Sequence, residues 1–196
     1  MLNEFLNPAS VEFREVDRAV VKDFVEKHYL GAYPAAAKLY LGIFYNNEMV
    51  GMVIYGSPFG PNVIYSMFSA DTDILMKNVL ELKRLFLTDD ENLLPSDAKK
   101  NLAGFAISKG NDYVANKFPD VKAIVTYSDS SHHSGTVYKA TNAIYQGELN
   151  DKKRWVYPIG SSSQRNWVKR NLRSNLDWKA TNECMSVLKT MWREVL

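Results

Sequence analysis

A tyrosine lying just past a strand-like run is the first residue in this chain with an evident chemical use. In GTVYKATNAIY, Tyr138 follows VKAIVTYSD, and a phenol placed there can protonate a departing thiolate once it lies within hydrogen-bond reach. The alternative is that Tyr138 and Tyr145 pack on the core. Arg84 is the second candidate. It sits in LELKRLFL, flanked by Leu82, Leu85 and Phe86, and a guanidinium buried in such a strand needs a carboxylate or phosphate partner. Glu81, Asp129 or an anionic substrate can fill that role. Strand alternation sets Glu81 and Arg84 on opposite faces unless a bulge intervenes.

Ser96 stands where a helix N-cap belongs. The helix it opens aims free amides at any pyrophosphate nearby, with Lys99 and Lys100 in support and Asp97 in opposition. His28 and Tyr29 close an earlier helix, where the dipole stabilises a histidine cation; the functional alternative is a base or ligand in a substrate channel. His132 and His133 are adjacent in a polar loop but lack a set of further ligands, so no metal is expected. Asp129 ends its strand, a position that suits a catalytic carboxylate or an ordinary turn.

The stretch from Lys152 to Arg173 carries Lys152, Lys153, Arg154, Arg165, Lys169, Arg170 and Arg173 without one acid, in a chain of net charge +2. The remainder of the chain is therefore net negative. Trp155, Tyr157 and Trp167 are interleaved with these cations. Cations neutralise phosphates and aromatic faces stack on exposed bases, which suits nucleic acid with a base drawn out of its stack. A solvated face with core-anchoring tryptophans is the other reading of the same residues.

These residues need elements to position them. Val20, Val21, Phe24 and Val25 recur at helical spacing between Asp17 and Tyr29, with Asp17 at the cap. LYLGIFYN and MVGMVIYG are β-rich runs joined at Asn46, Asn47 and Glu48, the pattern of a hairpin. The prolines and glycine of SPFGPN then break the pattern. Residues 79–87 predict a strand, and a helix follows from Ser96 to Phe118 with Leu102, Phe105, Ala106 and Tyr113 as its apolar stripe. Residues 121–129 predict a strand buried on both faces. Residues 79–129 thus form a strand-helix-strand unit with a right-handed crossover. GTVYKATNAIY predicts a short helix, followed by a basic, aromatic tail region. Ligands of such a sheet bind beyond the carboxyl ends of the parallel strands, where residues after Leu87 and after Tyr127 meet. Tyr138 and Arg84 are expected to face a shared crevice there.

With 196 residues, 46% of them hydrophobic, the chain suits one α/β domain with a real core, residues 151–196 forming a basic, aromatic C-terminal region packed on it. No run approaches the roughly 18 apolar residues of a membrane helix, and the start has neither the basic flank nor the apolar run of a signal peptide. A cytoplasmic protein is expected. Cys184 is the single cysteine, so it forms no internal disulfide and reads as a small buried residue. Phosphate-loop, zinc-protease and serine-hydrolase motifs are absent.

The elements HYLGAYP, LYLGIFYNNEMVGMVIYG, LELKRLFL, AIVTYSD and GTVYKATNAIYQGE, in this order and spacing, resemble the Mom-type phage DNA-modification proteins, a divergent group of the GNAT acyltransferase fold. The likeness covers roughly residues 20–160. It implies a mixed, mostly antiparallel sheet with one splayed parallel pair and helices on both faces. It also implies transfer of a small acyl-derived group to a DNA base amine, adenine first, which protects DNA from restriction in the cytoplasm of an infected host. His28 and Tyr29 match the family's His-Tyr pair, Arg84 its strand arginine, Ser96 its helix-start serine, Asp129 its strand-end aspartate and Tyr138 its helix tyrosine. Acetyl-coenzyme A or another acyl donor is implied. Ordinary GNAT enzymes wrap the coenzyme's pyrophosphate with a glycine turn, whereas this chain has SDAKKNLAG there. The rival functions are a general acetyl-coenzyme A-dependent N-acetyltransferase on a protein or small amine, and a DNA-binding module without chemistry.

Overall fold

The computed structural model describes residues 10–28, 34, 36–68, 73–130, 134–149 and 152–172. They fall into two compact units, one running to Ser57 and resuming as Glu81–Phe118, the other made of Pro58–Leu80 and the chain from Pro119. The expected places of Tyr29, His132, His133, Arg173 and Cys184 lie outside the described residues, and for His28 and Lys100 only the backbone is described.

In the first unit, β1 (Val11–Glu15) pairs antiparallel with β2 (Ala37–Tyr45), which pairs with β3 (Glu48–Gly56), which pairs with β4 (Val79–Leu87). Sequence reading missed β1: VEFRE is short and carries three charges, as edge strands do. The β2–β3 hairpin closes at the pair Tyr45↔Glu48, leaving Asn46 and Asn47 at φ 50° and 66°. Both central residues are left-handed, the primed turn whose twist matches the strands it joins. Helix α1 (Arg18–His28) packs Val21, Phe24 and Val25 against Met52 and Ile54 of β3. Helix α3 (Ser96–Lys117) takes the other face, where the Tyr55 hydroxyl donates to Asn111 Oδ1 at 3.0 Å. Successive β3 side chains alternate, so α1 and α3 flank the sheet. A Cβ on Gly110 would lie 2.3 Å from the Tyr55 hydroxyl, so the missing side chain is what lets α3 settle there.

The second unit has β7 (Lys152–Pro158) between β5 (Ala123–Asp129) and β6 (Ile144–Leu149), all antiparallel. Helices α2 (Pro61–Met67) and α5 (Ser162–Asn171) cover one face, burying Ile64, Met67 and Val168 against Val125 and Val156. The five-residue helix α4 (Thr136–Ala140) is shorter than expected. Asn142 at φ 64° turns the chain out of it, and the alternating Ile144–Leu149 enters β6 instead. The supposed tail segment KKRWVYP is the middle strand of this sheet. Its charges disguised a strand because one of them, Arg154, is buried with Trp155, Val156 and Tyr157, and the last two residues of SPFGPN already begin α2, with Pro61 in its first turn.

The architecture is mixed α/β, mostly antiparallel with one parallel strand pair, as expected. Among the described residues no helix is long and apolar enough to cross a membrane. The hairpin gives the first test. Asn47→Gly is expected to stabilise the protein by about 0.5 kcal/mol, and Asn47→Val, β-branched at positive φ, to destabilise it by about 1 kcal/mol, read from urea unfolding midpoints.

Candidate active site

Tyr138 lies half-buried on α4. Its ring centroid is 6.2 Å from that of Trp155, and Tyr145 approaches the same indole at 5.2 Å. Trp155 is 6% exposed and held from two sides. Its Nε1 donates to Ser128 Oγ at 3.0 Å, and Gly135, at φ 78°, packs so closely that a Cβ would come within 2.5 Å of the indole. Below this cluster the Tyr157 hydroxyl bonds Thr141 Oγ1 at 2.8 Å, and Thr141 in turn donates to the carbonyls of Val137 and Tyr138. The local sequence thus fixes the helix that carries Tyr138 to the middle strand beneath it. Burial pushes the Tyr157 phenol well above its ordinary value, with Tyr138 nearby adding to the rise and the Thr141 bond opposing it. Asp129 ends β5, exposed, in register with Lys152.

Arg84 is exposed rather than sunk in an apolar strand, which corrects the expectation of a buried guanidinium. Its Nη1 donates to the Lys83 carbonyl at 3.3 Å. A bulge lies beside it. Glu81 lies opposite Gly56, Leu82 opposite Tyr55 and Arg84 opposite Ile54, so Lys83 is the extra residue. Glu81 and Arg84 therefore share a face after all. Lys83 and Glu81 pair at 3.3 Å with side chains only 11% and 15% exposed. Sequence reading passed over Lys83; the run of charges in LELKR was the available signal.

Pro95, not Ser96, occupies the N-cap of α3. The Ser96 hydroxyl instead donates to the Glu91 carboxylate, and Lys99 Nζ lies 2.8 Å from Asp89. Two of the three side chains expected to hold a pyrophosphate, Ser96 and Lys99, are thus engaged by acids, and the first turn has no glycine to bring backbone close to phosphate.

The basic segment divides. Arg154 and Trp155 are buried, which corrects their expected place on a nucleic-acid surface. Arg154 Nη1 donates to Ser66 Oγ at 2.7 Å and Nη2 to the Ser66 and Gln146 carbonyls at 3.2 and 3.5 Å. It also bonds the phenol of Tyr127, its partner across β5 and β7. Desolvation lowers its pKa to about 10, with Tyr127 opposing the fall, so it remains a cation at neutral pH. Lys152 is exposed and Lys153 half-buried. On α5, Arg165, Lys169 and Arg170 are exposed, whereas Trp167 is half-buried beneath Lys122, whose Nζ is 5.8 Å from the ring. A capping box at Ser161 and Gln164 starts this helix.

Comparison with known proteins places this arrangement. The fold is that of the N-acetyltransferases. The spermidine/spermine N-acetyltransferase SpeG of Vibrio cholerae superposes with a TM-score of 0.51 over 83% of this chain and 97% of its own, at 11% identity. The PaiA N-acetyltransferase of Thermoplasma acidophilum, solved with coenzyme A, gives 0.51 over 76% and 99%, at 13% identity. Residues 10–192 match the Mom protein family, and the chain belongs to it. It is 25% identical over 122 residues to the methylcarbamoylase Mom of Escherichia phage Mu, an alignment that takes in 62% of this chain and 46% of that protein. The chain thus spans about half the length of the curated relative it matches.

Two outcomes follow from the second unit's buried groups. Arg154→Ala leaves the Ser66 and Gln146 carbonyls and the Tyr127 phenol without their donor, and should cost about 3 kcal/mol or more in urea unfolding. Tyr157 resists ionisation in the folded chain, so its contribution is full below the unfolded pKa of about 10 and is lost as pH rises beyond it. Urea midpoints should therefore fall above about pH 10, and Tyr157→Phe should flatten that part of the fall.

Proposed function

We propose that this protein is a DNA base-modification transferase that adds a small acyl-derived group to a base amine, adenine first, and so protects the DNA from restriction. The observation that carries the reading is membership of the Mom family over nearly the whole chain. The name of the phage Mu relative makes methylcarbamoyl the first group to test.

In this reading the base amine attacks the carbonyl carbon of the donor group. A carbon–nitrogen bond forms, the bond to the leaving group breaks, and the Tyr138 phenol gives its proton to that leaving group. Braced on a buried indole, the phenol loses little freedom when it acts. Arg84, exposed on β4, orients an anionic part of the donor, and Asp129 is the carboxylate for the amine's proton. His28 and Tyr29 complete the family's residue set. The donor is an acyl carrier of the coenzyme A type or another, contacted by Lys100 and, once Glu91 and Asp89 are displaced, by Ser96 and Lys99. Double-stranded DNA is held by Lys152, Lys153, Arg165, Lys169 and Arg170, with Trp167 beside them, and the reaction takes place in the cytoplasm of an infected bacterium.

Mass spectrometry of nucleosides from cells expressing the protein tests the chemistry. A heavier adenine nucleoside is expected with the wild type and is absent with Tyr138→Phe, while duplex affinity stays within about twofold. Strong thermal stabilisation by coenzyme A, none by DNA and no new nucleoside would favour an N-acetyltransferase of other amines, the function of the fold's neighbours. The α5 cations have their own readout. Replacing Arg165, Lys169 and Arg170 by glutamine should weaken duplex binding and reduce the slope of log affinity against log salt by about 0.9 for each phosphate no longer neutralised.

A further inference from the structure

Tyr145 has no part in the scheme above, yet it shares its support with the residue that does. It is the second residue of β6, lies opposite Trp155 in the β6–β7 register, and is 38% exposed. A register shift follows between Tyr145 and Glu148, with Gly147 at φ 94° and nothing within 4 Å of where its Cβ would be. Such a bulge re-aims the side chains beside it, and the space beside Gly147 is open. Trp155 is fixed by Ser128 and roofed by Gly135. Tyr138 and Tyr145 are thus two accessible phenol rings braced on one immobile indole, tilted 37° and 54° to it.

We propose that Tyr145, together with Tyr138, forms a stacking surface for a purine base extruded from DNA, holding the base amine beside the Tyr138 hydroxyl. This rests on the DNA-modification reading. A base inside a duplex is out of reach of any side chain, so an enzyme acting on it must take it from the stack and replace the lost stacking. Rigid aromatic rings do that at little entropic cost, because every base presents a π-face. The charges nearby suit a nucleotide. Lys139 is exposed on α4 next to Tyr138, and Lys153 lies on β7 two residues from Trp155, hence on the same face. Glu148, which faces Lys153 in register, is bonded by Ser130 Oγ at 2.6 Å. Tyr145 acts as a substrate-binding residue, whereas Trp155 is a positioning residue that acts through the two phenols.

The test compares binding of an adenine oligonucleotide with that of an abasic deoxyribose phosphate strand of the same length and charge. The wild type should prefer the adenine strand about tenfold, the worth of one stacked base. Tyr145→Leu, which keeps apolar bulk in the sheet, and Tyr145→Ala should both lose that preference while binding the abasic strand as the wild type does. Tyr145→Phe should keep it. No preference in the wild type, or an unchanged preference in both truncated variants, overturns the proposal. So does displacement of the oligonucleotide by free coenzyme A with the same dependence on Tyr145, which would assign the rings to a nucleotide cofactor. A protein that shows the Tyr145-dependent preference but produces no modified nucleoside retains the stacking surface and loses the transferase function. A protein that modifies DNA yet has a preference indifferent to Tyr145 does the reverse.

Discussion

A guanidinium lies inside the second unit, and the arrangement of that unit turns on it. Arg154 occupies the middle strand of three, 3% exposed, and reaches Ser66 on α2, Gln146 on β6 and Tyr127 on β5. Burying a cation is costly unless its donors are met, and here one side chain meets acceptors from three separate elements. The apolar contacts of Ile64, Met67, Val125, Val156 and Val168 supply the driving force for packing but are not directional. Arg154 supplies the direction. It pins the last turn of α2 over β7 through both the hydroxyl and the carbonyl of one serine, a geometry that lysine, with its single charged nitrogen, cannot reproduce.

Alternation along β7 then divides the work of that strand between its faces. Arg154 and Val156 point toward α2 and α5, while Trp155 and Tyr157 point toward α4. The same seven residues thus anchor the supporting helices on one side and brace Tyr138 on the other. A one-residue slip of register would exchange the faces and send the guanidinium into the aromatic cluster. The matched pairs Tyr127↔Arg154 and Thr126↔Trp155 hold the register. Tyr157 ties the far end of α4 through Thr141, so the position of the phenol proposed to act as an acid is set by side chains on a strand rather than by the five-residue helix that carries it.

The parts of this fold readable from sequence were those in which one local signal dominates. The paired asparagines gave the β2–β3 hairpin, the apolar periodicity gave α1, and the nearly continuous apolar run gave β5. Where two signals competed, the composition misled. KKRWVYP reads as a cationic tail until the pairing of Arg154 with Ser66, distant by 88 residues, is known. GTVYKATNAIY reads as one helix because the turn at Asn142 depends on a left-handed residue that is not a glycine. For Ser96, the residue type favoured a cap, but Pro95 before it already has the extended backbone that a cap requires. Of the candidate site, the aromatic neighbourhood of Tyr138 was out of reach, since it is assembled from residues whose only sequence trait is to be aromatic.

The bulge in β4 shows how one extra residue changes what a charged strand can do. Five consecutive residues, Glu81 to Leu85, include three charges, and a regular strand would direct Glu81 and Lys83 to one face and Arg84 to the other. With Lys83 looped out of register, Glu81 and Arg84 fall on the same face. Lys83 and Glu81 pair at 3.3 Å with both side chains nearly buried. Arg84 remains exposed to solvent. A guanidinium locked in the core would serve the fold alone, because releasing it to meet a ligand would strand its partners. An exposed one stays within reach of an anion in solution, which a residue proposed to orient a substrate requires.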